Sequence, residues 1–285
     1  ETIQNKILPL NDNILVYPAH GPGSSCGKNL GPNTHSTIGE QRKTNYALAN
    51  QSKEDFVKAV TTGLQTAPVY FAVNAKINQE GYEDVKKVVE QGSQLLSIDE
   101  FKTAIENEAI ILDTRNAITF TQGFVPGSIS IGLEGRFAEW AGMILPFNKN
   151  IVLVTEEGKE EESVIRLSRV GFEKMKGCLK GGYDAWKNTN EPIDMIIDVE
   201  ADELIMDIPH DPNLLVVDVR KETEWADGHL ADSMNLPLNE MTDVVQLAQF
   251  EEHQNLYIHC AGGYRSVIAA SLLKREGRQG HNIGS

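Results

Sequence analysis

The residue types best suited to chemistry gather near position 260, in the stretch Ile-His-Cys-Ala-Gly-Gly-Tyr-Arg-Ser over residues 258–266. Leu256, Tyr257 and Ile258 form an apolar run that predicts a buried strand. Cys260 follows at its C-terminal end, where open α/β sheets place their ligand crevices. Ser266 opens the next helical stretch. Between them Gly262 and Gly263 permit a tight loop with unusual backbone dihedrals. Such a loop turns successive N–H groups toward the sulfur, and those donors, the helix N-terminus and Arg265 stabilise a thiolate. The same donors stabilise an anion bound beyond it. A buried structural cysteine at a strand end is the competing reading. The order Cys, Gly-Gly, Arg, Ser favours a nucleophile. Cys260 is therefore the expected catalytic residue, and Ala261, Gly262, Gly263, Tyr264, Arg265 and Ser266 its substrate-binding loop.

The elements that must hold this loop occur twice. Ala109 to Leu133 resembles Leu214 to Leu238, and each copy opens with an apolar run ending in Asp-x-Arg: Asp113/Arg115 and Asp218/Arg220. Asn150 to Gly158 matches Asn255 to Gly263. Short apolar, β-branched runs alternating with helical stretches predict βα units and largely parallel sheets. Two α/β domains are expected, over 94–195 and 197–285. The Asp218–Arg220 pair reads as a structural ion pair supporting the loop, with Glu224. His229 reads as a packing histidine. His259 should point to the sheet face opposite Cys260. In the first copy Thr155 replaces the cysteine, and Glu156, Glu157, Glu160, Glu161 and Glu162 follow, so that copy reads as catalytically silent. Cys178 reads as a partly buried cysteine near a strand. The second copy looks truncated, with a scant closing strand, no final helix and exposed apolar surface.

The loop Cys-Ala-Gly-Gly-Tyr-Arg-Ser resembles the active-site loop of the rhodanese sulfurtransferases. Upstream, Asp218, Arg220, Glu224, Trp225, Gly228, His229 and Pro237 are similar to that family's signature. The resemblance covers Leu214 to Ile268. It implies that Cys260 accepts a sulfane sulfur as a persulfide and passes it to a nucleophile. Protein tyrosine phosphatases carry one more residue between cysteine and arginine, so the shorter loop here fits sulfur better than phosphate.

Ahead of the repeats, Asn13 to Tyr17 predicts a buried strand, and residues 36–50 and 52–64 predict helices capped by Ser or Thr. Gly, Pro, Asn and Gln recur from Pro68 to Gly92, which reads as a connector. Residues 16–28 and 35–48 resemble the C-terminal end of a metallo-β-lactamase-fold (αββα) domain, and in particular bacterial persulfide dioxygenases fused to rhodanese domains. Residues 70–83 are similar to the connector in such fusions. The expected organisation is thus a metallo-β-lactamase-fold remnant over 1–67, a connector over 68–93, and two rhodanese-like α/β domains with parallel sheets, the second active. The resemblance implies iron in an intact dioxygenase domain. The seven histidines, at 20, 35, 210, 229, 253, 259 and 281, include no HxHxDH motif. No metal or other cofactor is therefore expected in this chain, with His20 near the metal site only in an intact protein. Cys26, in the same loop, reads as a loop cysteine or as lining a thiol-substrate pocket.

A formal net charge of −15 argues against nucleic acid and anionic lipid as partners. No run of residues is long and apolar enough to predict a membrane span. Three scattered cysteines fit a reducing cytoplasm better than a disulfide framework. The expected partners are thiosulfate, a glutathione-like or other low-molecular-weight persulfide, sulfite, and a second copy of the chain in a homo-oligomer.

Overall fold

The computed structural model describes residues 2–17, 34–48, 52–61, 69–81 and 83–284. His20 and Cys26 lie outside the described residues. The chain divides into two compact units, Glu1–Ala67 and Pro68–Ser285.

In the first unit β1 (Leu15–Val16) pairs antiparallel with β2 (Ser36–Thr37), followed by α1 (Ile38–Thr44) and α2 (Lys53–Thr61). Thr37 caps α1 through a full capping box with Glu40, and Ser52 accepts the amide of Asp55 at the start of α2. The predicted strand over Asn13–Tyr17 is shorter than expected and is not buried. Leu15 is 53% exposed and Tyr17 70% exposed, because the ladder has two strands and no described element covers its outer face.

The second unit opens with α3 (Val69–Glu80) and α4 (Val85–Gly92). The expected connector is therefore helical where it is described. Both helices keep apolar residues exposed as well, Phe71 in α3 and Val85 in α4, and each packs one side on the first repeat. Tyr70 lies against Gly142, and Gly92 abuts Val164 and Met175.

The first repeat runs β3 (Leu95–Leu96), α5 (Ile98–Glu106), β4 (Ile110–Asp113), α6 (Ala117–Thr121), β5 (Ile129–Ser130), α7 (Phe137–Ile144), β6 (Ile151–Val154), α8 (Glu160–Ser168), β7 (Met175–Leu179) and α9 (Gly182–Lys187). The second runs β8 (Asp198–Val199), α10 (Ala201–Asp207), β9 (Leu214–Asp218), α11 (Glu222–Ala226), β10 (Met234–Asn235), α12 (Val244–Leu247), β11 (Asn255–His259), α13 (Tyr264–Arg275) and β12 (Gly280–Ile283). The five-stranded sheets have matching orders, β3-β7-β6-β4-β5 and β8-β12-β11-β9-β10, and every pairing within them is parallel. The central strands β4 and β6 are buried along their whole length, as an apolar run covered on both faces must be.

One core joins the repeats. It includes Leu112, Leu153 and Phe137 from the first and Val217, Ile258 and Ala269 from the second. Helix α13 lies between its own sheet and β5 of the first repeat, so Ser266 to Leu273 are all buried. The Ser130 amide donates to Ser271 Oγ at 3.0 Å, and Lys274 pairs with Asp194 at 2.9 Å. The closing strand of the second repeat is better formed than expected: β12 pairs with both β11 and β8. Exposed apolar side chains do occur in this repeat, among them Ile205 and Met206 of α10, Ile208 just after it, and Leu230, Val244 and Val245.

Candidate active site

Strand β11 delivers Cys260 to the C-terminal edge of the second sheet, beside β9. The backbone alternates faces. Leu256, Ile258 and Cys260 pack toward the core shared by the repeats, whereas Tyr257 joins Val216 on the opposite face. His259 is in register with Asp218 and falls on that opposite face, away from Cys260. Its Nε2 lies 3.3 Å from Asp218 Oδ2, without hydrogen-bond geometry. Burial lowers the His259 pKa against the opposing pull of Asp218, which keeps the ring neutral at neutral pH.

The cysteine loop closes through Gly263, whose left-handed backbone (φ 74°) is open to glycine at no steric cost. Tyr264 N–H donates to the Gly262 carbonyl and Val267 N–H to that of Gly263. The amides of Ala261, Gly262, Gly263, Arg265 and Ser266 meet no backbone acceptor among the described residues. An ideal Cβ built at Gly262 or Gly263 would meet nothing within 4 Å. The result is an open loop rich in unpaired donors beside a half-buried sulfur.

Two side chains flank that sulfur. Ser266 is fully buried, its Oγ 3.5 Å from Cys260 Sγ, and it donates to the Gly263 carbonyl at 3.0 Å. Ser266 Oγ can accept from the thiol, and after rotation the hydroxyl can donate to a thiolate. Arg265 binds Glu224 bidentately, at 2.7 and 2.8 Å. The hydrogen bond from Arg265 holds the Glu224 carboxyl down to about 2, and Arg265 is raised in turn by Glu224 with a smaller contribution from Cys260. The guanidinium is thus a fixed cation beside the sulfur.

Asp218 and Arg220 brace the loop from behind. The Arg220 side chain and amide all bond to the Asp218 carboxylate at 2.6–3.0 Å, and Nη2 also donates to the Gly228 carbonyl. Burial pushes Asp218 up, but the bonds from Arg220 outweigh it and the carboxyl lies below its ordinary value. His229 stacks on Trp225 with ring centroids 3.6 Å apart, a packing arrangement.

The first repeat reproduces the brace without the cysteine. Arg115 chelates Asp113 and reaches the Gly123 carbonyl in the same pattern. Phe120 and Phe124 stack where Trp225 and His229 do. Thr155 stands in the cysteine position with its buried Oγ1 unpartnered. Glu160, Glu161 and Glu162 open α8 where Arg265 stands in the first turn of α13, and Thr119 stands in the place of Glu224, so the charged clamp is missing. Cys178 is fully buried and donates to the Gly92 carbonyl, and burial pushes its thiol up to about 12, which makes it inert.

Tyr264 holds a contact that sequence reasoning did not anticipate. Its hydroxyl donates at 2.8 Å to the carbonyl of Gly132, in the loop after β5 of the first repeat. A bulky aromatic in an otherwise small-residue loop was the available signal.

Residues 97–189 and 200–284 each match the rhodanese-like domain family, and together they make up more than half of the chain. The chain belongs to the rhodanese-like family. A protein of Bacillus subtilis described as a sulfur carrier protein is 26% identical over 98 residues, covering 34% of this chain and 50% of that protein. A sulfurtransferase of Allochromatium vinosum is 24% identical over 83 residues, covering 29% of this chain and 76% of the relative. The chain thus spans about half the length of the first of these. Among solved structures, a metallo-beta-lactamase from Staphylococcus aureus is similar at 25% identity with a TM-score of 0.46, covering 63% of this chain and 48% of its own. A thiosulfate sulfurtransferase from Pseudomonas aeruginosa is similar at 17% identity and a TM-score of 0.31, covering 69% and 44%.

Among the described residues no three His, Cys, Asp or Glu side chains gather in a way that would hold a metal ion. No described helix is long and apolar enough to cross a membrane.

Proposed function

We propose that this chain is a sulfurtransferase that carries a sulfane sulfur on Cys260. The observation that supports it most is Cys260 at the C-terminal end of β11, with Ser266 Oγ at 3.5 Å, in a loop whose amides meet no backbone acceptor and whose Arg265 is held by Glu224. The Cys260 thiolate attacks the outer sulfur of thiosulfate or of a low-molecular-weight persulfide. A new S–S bond forms at Cys260, the donor's S–S bond breaks, and sulfite or a thiolate leaves with the electron pair. The loop amides and Arg265 neutralise the anionic donor and leaving group. An acceptor thiolate or sulfite then attacks the outer sulfur of the persulfide and releases the Cys260 thiolate.

The first repeat takes no part in that exchange, since Thr155 is a weak nucleophile and Glu160 would repel an anionic donor. Residues 1–67 are read, on their sequence resemblance, as the C-terminal part of a metallo-β-lactamase-fold domain. In a persulfide dioxygenase fusion for sulfide detoxification, its sulfite product and the persulfide carried here would meet in one protein. A second reading, a sulfur carrier or interaction module without turnover, is favoured by the description of the Bacillus subtilis relative.

Incubation with thiosulfate should add the mass of one sulfur atom to the peptide bearing Cys260, and a thiol should remove it. Repeated release of sulfite supports the enzyme. Loading once without turnover supports the carrier. No sulfur on Cys260 from either thiosulfate or a persulfide would refute both.

A further inference from the structure

The cysteine loop has no packing on its solvent side, and two of its residues are glycines. A segment of that kind loses much backbone entropy when it adopts one conformation. Something outside the loop must hold it with its amides unpaired and beside the sulfur. At one end β11 does so. At the other end the first side chain of α13 is Tyr264, and it leaves the second repeat altogether.

The Tyr264 ring lies against the Gly132–Gly135 turn of the first repeat. A Cβ at Gly132 would sit 3.6 Å from the ring, and one at Gly135 would sit 3.8 Å from it. The turn beneath is firmly held. Ile131 and Leu133 amides donate to the Asp113 and Thr114 carbonyls, and Arg166 of α8 donates to the Leu133 carbonyl at 2.5 Å. The Tyr264 hydroxyl donates into this platform at the Gly132 carbonyl. Burial raises its pKa, so it remains a donor throughout the neutral range. Further along α13, Ser271 and Lys274 reach the first repeat at Ser130 and Asp194. Residues 264, 271 and 274 share one helical stripe. The first repeat therefore fixes the rotation of α13 about its axis, and Tyr264 passes that restraint to the loop.

We propose that Tyr264 is a positioning residue, through which the first repeat, with Thr155 in place of the loop cysteine, holds the Cys260 loop in its anion-binding form. The assignment deepens the sulfurtransferase reading and rests on it for its biological meaning. It gives the silent repeat a role that its own residues cannot fill.

The test compares alkylation of Cys260 by anionic iodoacetate and by neutral iodoacetamide, quantified on the peptide that bears Cys260. The ratio of the two rates reports how well the loop receives an anion, whether or not the protein turns over sulfur. Tyr264→Phe keeps the ring and removes the hydroxyl donor. It should lower the ratio about threefold, the scale that a single hydrogen bond supports. Tyr264→Leu should lower it further. Arg166→Gln loosens the turn from within the first repeat, and it should lower the ratio in the same direction, without adding fully to Tyr264→Leu. If Tyr264→Leu fails to fold, Tyr264→Phe and Arg166→Gln decide. A ratio unchanged in both of those variants, with wild-type melting curves, would overturn the proposal. A lowered ratio in a protein that transfers no sulfur would uphold the positioning role and remove the sulfurtransferase reading instead.

Discussion

Arg265 and Glu224 meet through two parallel hydrogen bonds of 2.7 and 2.8 Å, tying the helix that follows the cysteine to α11. The pair fixes the guanidinium in the cysteine loop and takes up two of its donor directions. Glu224→Gln keeps the shape and removes the charge. It should reduce sulfur transfer about tenfold through a misdirected Arg265, a size typical of lost charge-assisted bonds. Steady-state turnover with thiosulfate checks this, and an unchanged kcat/KM would show that Arg265 needs no clamp.

The same pair has a pH signature. Glu224 lies at about 2 in the folded chain, below its ordinary 4.5, chiefly through the bond from Arg265. A depressed carboxyl favours the folded state fully above its unfolded value, and that contribution is lost as the pH falls from 4.5 toward 2. The two side chains are partly exposed, so solvent reduces the effect. Wild type should therefore lose its stability advantage over Glu224→Gln across that window. Urea titrations at stepped pH check this. A constant difference down to the acid limit would contradict the assignment.

Replacing Cys260 by Ser should abolish persulfide formation and leave the fold nearly intact, since the hydroxyl replaces a thiol of similar size beside Ser266. Thr155→Ala should leave transfer unchanged, because the first repeat lacks the counterparts of Arg265 and Glu224. Mass analysis after thiosulfate treatment reads both variants. Retained sulfur loading in Cys260→Ser would refute the assignment of Cys260, and a large loss in Thr155→Ala would mean that the first repeat is not silent.

The candidate nucleophile and its brace were legible because they are local. Cys260, the two glycines, Arg265 and Ser266 follow one another along the chain, and Asp218 and Arg220 are two residues apart. The repeat was legible because each Asp-x-Arg ends an apolar run. The contact between Tyr264 and Gly132 was not legible, since it depends on how α13 packs across to the first repeat. Helices α3 and α4 were hidden by Gln, Asn and Gly, while Tyr70 and Val88 carried the packing. Strand β12 was hard to see because Gly280, His281 and Asn282 interrupt its apolar pattern, and its pairing on both sides supplies what the sequence pattern lacks. The exposed Leu15 shows the reverse case, an apolar run whose pattern says nothing of what covers it.

The brace of the first repeat makes a separate prediction about stability. Arg115 and Asp113 are both buried, with side-chain exposures of 6% and 0%. Arg115→Met would leave a buried carboxylate without its cation, a change that costs about 3–5 kcal/mol. Adding Asp113→Leu removes the stranded charge and should restore part of that loss. Equilibrium urea unfolding of the single and double variants tests the order. A double variant less stable than the single would show that the pair is worth more than its desolvation.

The outer faces of the two sheets differ in cover, and hydrogen exchange should reveal it. In the first repeat α5 and α9 bring Phe101, Tyr183 and Trp186 onto Ile111, Val152 and Val154. Trp186 also donates to the Pro192 carbonyl at 2.9 Å and meets Phe101 edge-on. In the second repeat the corresponding cluster is Val199, Leu204, Val216, Tyr257 and Ile283, with Leu204 its only member from a helix. Large buried aromatics typically contribute several kcal/mol each, so the second sheet is held less firmly on that side. Helix α13 is a different matter, because both of its flanks are buried. The amides of β12 should therefore exchange faster than those of β7, while those of α13 from Val267 to Leu273 should rank with the slowest in the chain. Slow exchange in β12 equal to that in β7 would show that α10 alone secures the outer face. Fast exchange in α13 would show that the first repeat does not restrain it, and would weaken the case for Tyr264 at the same time.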